Sequence, residues 1–206
     1  MLRLYAIMAA GVLVAAVGGI WLSTLFLKPD EPYAECGVAR VAGGASQIGG
    51  PFELINAKGE TVTDKDVITE PALIYFGYTF CPDVCPFDAS RNADAVDLLA
   101  DRGYSVTPVF ISIDPERDTP EVVGDFAENM HEKMIGLTGS DEQVKAASQA
   151  YRTYFKAHKD QGEFYLVDHS TYTYLVLPGQ GFVQFFSHDT TAEDMAEQTA
   201  CVLDRS

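Results

Sequence analysis

Ala72-Leu73-Ile74-Tyr75-Phe76-Gly77-Tyr78-Thr79-Phe80-Cys81-Pro82-Asp83-Val84-Cys85-Pro86 is the stretch on which the fold turns. Its first seven residues form a continuous apolar run of strand length, and a strand that is apolar on both faces belongs in the middle of a sheet. Pro86 suits the first turn of a helix, where its missing N–H would be unpaired anyway, and the helix is expected to run to Arg102 with Gly103 as its stop. Cys81 and Cys85 therefore stand in a strand-to-helix turn. Helix N–H groups and the positive end of the helix dipole stabilise a thiolate there and lower a cysteine's pKa.

Working outward, residues 106–113 read as a second buried strand, and Asp118-Thr119-Pro120-Glu121 as a helix start. Ser140-Asp141-Glu142-Gln143 is a capping box opening a helix with Val144, Ala147, Tyr151, Tyr154 and Phe155 on one face. Strands are expected at 164–167, 173–177 and 182–186, the last two joined by the turn Pro178-Gly179-Gln180-Gly181. Thr190-Thr191-Ala192-Glu193 caps a final helix, and Phe52-Glu53-Leu54-Ile55 with the stretch after Lys58-Gly59-Glu60 suggests a small hairpin at the start. This order predicts an α/β domain of thioredoxin-like type over residues 48–206, a central mixed sheet flanked by helices.

Ahead of that domain, residues 4–27 are uncharged, and as a helix at about 1.5 Å per residue they would extend roughly 36 Å, enough to span a bilayer. Leu25-Phe26-Leu27-Lys28 offers no small-residue cleavage site, so the segment reads as an uncleaved transmembrane anchor, with Arg3 favouring a cytoplasmic amino terminus. Residues 28–47 combine Pro, Gly, Ala and Ser without periodicity and read as a linker. Glu35 stands where a lipoprotein acceptor would need a small residue before Cys36, which argues against lipidation. All 30 acidic residues follow the apolar segment, and the formal charge of −16 would repel a phosphate backbone, which excludes nucleic acid as a partner.

Two roles suit the pair Cys81 and Cys85: a redox-active disulfide, or a pair of soft ligands. Three intervening residues widen the loop beyond the usual two-residue redox turn and let both sulfurs face one external centre. Two thiolates select Cu(I), and one imidazole completes a three-coordinate site that also holds Cu(II). Of the four histidines, His131, His158 and His188 read as surface residues. His169 differs, because it follows the strand at 164–167 at the connection that, in a thioredoxin-like sheet, faces the cysteine turn. Asp168 is expected to orient its ring from behind.

Gly77-Tyr78-Thr79-Phe80-Cys81-Pro82-Asp83-Val84-Cys85-Pro86, then Ser112-Ile113-Asp114-Pro115-Glu116-Arg117-Asp118-Thr119-Pro120, then Val167-Asp168-His169-Ser170, resemble the three signature segments of the Sco/SenC family. The resemblance extends over most of residues 48–203. It implies a thioredoxin-like, membrane-anchored copper protein that assists assembly of the binuclear copper centre of cytochrome c oxidase, with the copper ligands at Cys81, Cys85 and His169. The partners it implies are the copper-accepting oxidase subunit, an upstream copper donor and a thioredoxin-like reductant. With no Arg-rich presequence, the expected location is a bacterial inner membrane, the domain in the periplasm.

Thiol-disulfide reduction of the acceptor's cysteines is the competing reading. Against it, a generic thiol oxidoreductase places a cis-proline where this chain has Asp168-His169-Ser170. The Asp114-Pro115-Glu116-Arg117-Asp118 segment reads mainly as a loop and helix-cap device. Cys36 and Cys201 lie outside the signatures, and the sequence leaves open whether they are bonded or are two unrelated thiols.

Overall fold

The computed structural model describes residues 5, 11–19, 21, 33–38 and 47–206. The chain divides into two compact units, Met1–Pro32 and Tyr33–Ser206. In the first, the described residues are helical. Most of the apolar segment 4–27 lies outside the described residues, and among them no helix is long and apolar enough to cross a membrane.

The second unit opens with a one-turn 3-10 helix, Ala34–Cys36, in the segment read as linker. It continues with strands β1 (Glu53–Asn56) and β2 (Thr61–Thr63), the short helix α1 (Asp64–Val67), β3 (Ala72–Gly77), α2 (Val84–Asp101), β4 (Thr107–Ser112) and α3 (Pro120–Met130). Then come β5 (Ile135–Thr138), α4 (Asp141–Ala150), β6 (Phe155–Ala157), β7 (Val167–His169), β8 (Thr173–Leu177), β9 (Gly181–Phe186) and α5 (Ala192–Leu203). The main sheet is seven-stranded and mixed, in the order β2-β1-β5-β4-β3-β8-β9, while β6 and β7 form a separate two-stranded sheet.

The apolar run of β3 is buried along its whole length, between parallel β4 and antiparallel β8. Alternation along the strand divides its side chains between two layers. Leu73 packs with Val96 and Leu99 of α2 and Met195 of α5, whereas Phe76 meets Tyr151 at 5.4 Å and Tyr174 at 6.0 Å between ring centroids. The caps form as the sequence requires: Thr119 accepts from the N–H of Val122, Ser140 and Gln143 form the reciprocal capping box, and Thr191 accepts from the N–H of Asp194.

Two expectations are corrected. Helix α4 stops at Ala150, because Arg152 turns into the left-handed region (φ 52°) and Phe155 starts β6; Tyr154 and Phe155 therefore leave the helical face assigned to them. The strand expected at 164–167 begins only at Val167, and it pairs with β6 rather than joining the main sheet. The side chains of Phe164 and Leu166 are exposed.

The two outlying cysteines are joined: Cys36 and Cys201 form a disulfide across 165 residues, with their Cα atoms 5.5 Å apart. Arg205 adds a salt bridge to Glu35, and the Tyr33 hydroxyl donates to Gln180 at 2.8 Å. Residues 33–38 are thereby held on α5 and the β8–β9 turn as part of the compact unit.

Candidate metal centre

Helix α2 begins at Val84, so its first turn contains Cys85 and Pro86, and the N-cap residue Asp83 makes no side-chain cap bond. The orphan donor is met by sulfur instead: the Cys85 N–H donates to Cys81 Sγ at 3.4 Å. Cys81 thus stands where a capping oxygen would, at the positive end of the helix. Its thiol pKa is held far below the ordinary range, chiefly by the hydrogen bond from the Cys85 thiol, with His169 and the N–H groups of Asp83 and Cys85 adding to it against the cost of burial. Cys85 moves the opposite way: proton-sharing with Cys81 and burial keep it a thiol. The pair is therefore asymmetric, one thiolate and one thiol, in a site where Cys85 is fully buried and Cys81 is 9% exposed.

His169 comes from the end of β7 and brings Nε2 to 3.3 Å from Cys85 Sγ. Its Nδ1 lies 2.9 Å from the Ser170 carbonyl oxygen, which can only accept, so Nδ1 donates there and Nε2 is the nitrogen turned to the sulfurs. Tyr75 and Tyr78 meet the imidazole edge-on, at 6.3 and 5.8 Å between centroids, and fix the plane of the ring. One ligand atom from each of Cys81, Cys85 and His169 lies within 4.8 Å of the others, and these are the residues that the sequence brought forward. Two sulfurs and one imidazole nitrogen are a soft donor set of low coordination number, the set that suits copper.

The expected role of Asp168 is corrected. It pairs with His158 Nε2 at 2.7 Å, because neighbouring residues of a strand send their side chains to opposite faces and Asp168 cannot share the face of His169. His158 is therefore part of a surface pair, as is His131 with Asp97. His188 pairs with the buried Asp88.

The 114–118 segment does more than cap. Asp118 is completely buried, and its carboxylate accepts from the Thr79 N–H at 2.9 Å, the Thr79 hydroxyl at 2.6 Å and the Ser112 hydroxyl at 2.6 Å. That network ties the loop leading into Cys81 to the end of β4. Burial raises the pKa of Asp118 although its hydrogen bonds pull downward. Arg117 bonds Asp114 and lies over the Tyr165 ring at 3.7 Å and the Phe80 ring at 5.0 Å.

Gly77 was not singled out from sequence, yet a Cβ there would lie 2.7 Å from Tyr75 and 3.1 Å from Cys85 Sγ. Only glycine lets the turn seat Cys85 so close to β3. The strand period, which puts residues 75 and 77 on one face, was the available signal for both Tyr75 and Gly77. Asp118 had none beyond its place in the segment.

The comparisons agree with this architecture. Protein SenC of Rhodobacter capsulatus is 52% identical over 200 residues, covering 97% of this chain and 90% of its own. The copper-bound crystal structure of Arabidopsis thaliana ScoI superposes with a TM-score of 0.73 at 39% identity, over 77% of this chain and 99% of that one. Copper-bound yeast Sco1 gives 0.72 at 32% identity, over 78% and 90%. The SCO1/SenC family model matches residues 40–204, and the chain belongs to the SCO1/SenC family.

Proposed function

We propose that this protein binds one copper ion through Cys81, Cys85 and His169 and passes it by ligand exchange to a copper-accepting subunit of cytochrome c oxidase, assisting assembly of the binuclear copper centre. The observation that carries the reading is the convergence of two sulfurs and an imidazole nitrogen within 4.8 Å. The solved relatives with copper bound, at 39% and 32% identity, support the choice of metal. Copper is cargo here: Cys85 must lose its proton as the metal enters, and Nε2 of His169 already faces the sulfurs. The disulfide between Cys36 and Cys201 fits an oxidising compartment such as the periplasm. Residues 4–27 would anchor the chain in the inner membrane with the amino terminus in the cytoplasm. An upstream donor supplies the metal, and a thioredoxin-like reductant keeps Cys81 and Cys85 reduced.

The test is metal analysis of the full chain, purified reduced and loaded with Cu(I) or Cu(II), beside Cys81→Ser, Cys85→Ser and His169→Ala. Each cysteine variant is expected to lose copper, and His169→Ala to lose Cu(II). Retention of both oxidation states by His169→Ala would remove the histidine from the ligand set. The thiolate character of Cys81 favours a second reading, reduction of the acceptor's disulfide. Oxidase assembly that persists in His169→Ala and fails in Cys81→Ser would favour that reading.

A further inference from the structure

Among the described residues of the unit Tyr33–Ser206, the exposed large apolar side chains are not scattered. All but Val122 lie in the segments that carry the three site residues. Phe80 and Phe87, 53% and 60% exposed, bracket the cysteine turn; Tyr154, Phe164, Leu166 and Tyr172 flank the two-stranded sheet that holds His169. Isolated exposed apolar residues need no explanation, but their concentration on the segments of one site does.

This collar is held in place. The guanidinium of Arg117 lies under Phe80 and Tyr165, Phe80 packs on Phe164 at 6.1 Å, and Phe87 leans on His188 at 5.4 Å. Aromatic side chains kept exposed by rigid neighbours lose little entropy on binding, which is the character of an interface anchor. Cys85 is fully buried and Cys81 only 9% exposed, so an exchanging ligand must be brought against the site by something that covers the collar and excludes water. The exposed charges on the same segments are more often acidic than basic, Asp83, Asp160, Glu163, Asp168 and Asp189 against Arg152, Lys156 and Lys159, the last of these paired with Glu116. The whole chain carries −16.

We propose that the collar of Phe80, Phe87, Phe164, Leu166 and Tyr172 is the docking surface for the copper-accepting protein domain, whose metal-binding loop projects from an apolar patch bordered by lysine and arginine. This rests on the copper-transfer reading and adds the face and the chemistry of the partner. Steering by the acidic surround sets the encounter rate, and the aromatic contacts hold the complex while ligands exchange.

The test uses the full chain in detergent micelles, both copper-loaded and reduced metal-free. It is titrated calorimetrically with the copper-free soluble domain of the oxidase subunit from the same organism and, separately, with a thioredoxin-like reductant. The double variant Phe87→Ser/Phe164→Ser is compared with the unaltered chain and with Val122→Ser, the exposed apolar residue outside the collar. The expected result is at least tenfold weaker binding of the oxidase domain by the double variant, unchanged binding by Val122→Ser, equal copper content in all three and weaker binding at high salt. Equal affinity in all three chains, no binding by the unaltered chain, or a loss confined to the reductant would overturn the proposal. Absence of copper from every chain would instead sink the copper reading, while the metal-free titration still decides the collar.

Discussion

The two cysteine pairs of this protein have the same chemistry and opposite surroundings. Cys81 and Cys85 sit four residues apart at the positive end of a long helix, as free cysteines beside an imidazole. Cys36 and Cys201, 165 residues apart, are bonded and join a one-turn helix near the start of the compact unit to its last helix. The first pair lies in a field that separates thiolate from thiol; the second has no helix N-terminus to activate it and a geometry that accepts a bond. Position relative to a helix end, more than burial, separates the reactive pair from the structural one, since Cys36 and Cys85 are both buried.

Exchange of roles between the pairs would break this contrast. The largest effect is expected for Cys85→Ala, which should reduce copper retention from about one equivalent to near zero, because three-coordinate soft sites do not survive loss of a thiolate. The double variant Cys36→Ser/Cys201→Ser should keep its copper. Elemental analysis after gel filtration reads both.

That double variant should instead lose about 3–5 kcal/mol of stability, from release of a long closed loop in the unfolded chain. A fall in thermal midpoint of roughly 10 °C on a calorimeter would be the sign. A loss of the same size in Cys85→Ala would erase the division between structural and reactive pairs. Gly77→Ala sharpens the contrast from another side: its Cβ meets Tyr75 at 2.7 Å and Cys85 Sγ at 3.1 Å, so about 1–3 kcal/mol of stability should be lost together with copper affinity. Urea unfolding and a competition titration with a chromogenic chelator measure the two.

The smallest expected signal is a pH slope. Because the pKa of Cys81 is lowered, its thiolate persists as pH falls through neutrality, and protonation comes only below the lowered value. Alkylation of Cys81 by iodoacetamide in the metal-free protein should therefore change by less than about twofold between pH 6 and 8, while an ordinary thiol slows by roughly tenfold per unit. A tenfold slope at Cys81 would show that the Cys85 thiol and the helix N–H groups do not hold it as a thiolate.

Much of this was legible because it was local. The buried strand β3, the turn with its two cysteines and the capping boxes follow from short-range patterns, and the cluster of Cys81, Cys85 and His169 follows from residue types at positions that the fold order brings together. What was not legible depends on partners distant in sequence. Nothing around Tyr154 announces the left-handed Arg152 that ends α4 early. Asp168 stands next to His169 in the sequence, but strand alternation gives it to His158 instead. Asp118 acts 39 residues away, on Thr79, and only the ends of parallel β3 and β4 coming together make that bond.

The imidazole and the sulfurs of the candidate centre ride on different ladders. His169 ends a strand held by three rungs to β6, while the cysteine turn hangs from the seven-stranded sheet. The nitrogen–sulfur distance is therefore set between two separate sheets, which are stitched at this point by the Val167 N–H donating to the Tyr78 hydroxyl and by the rings of Tyr75 and Tyr78 against the imidazole.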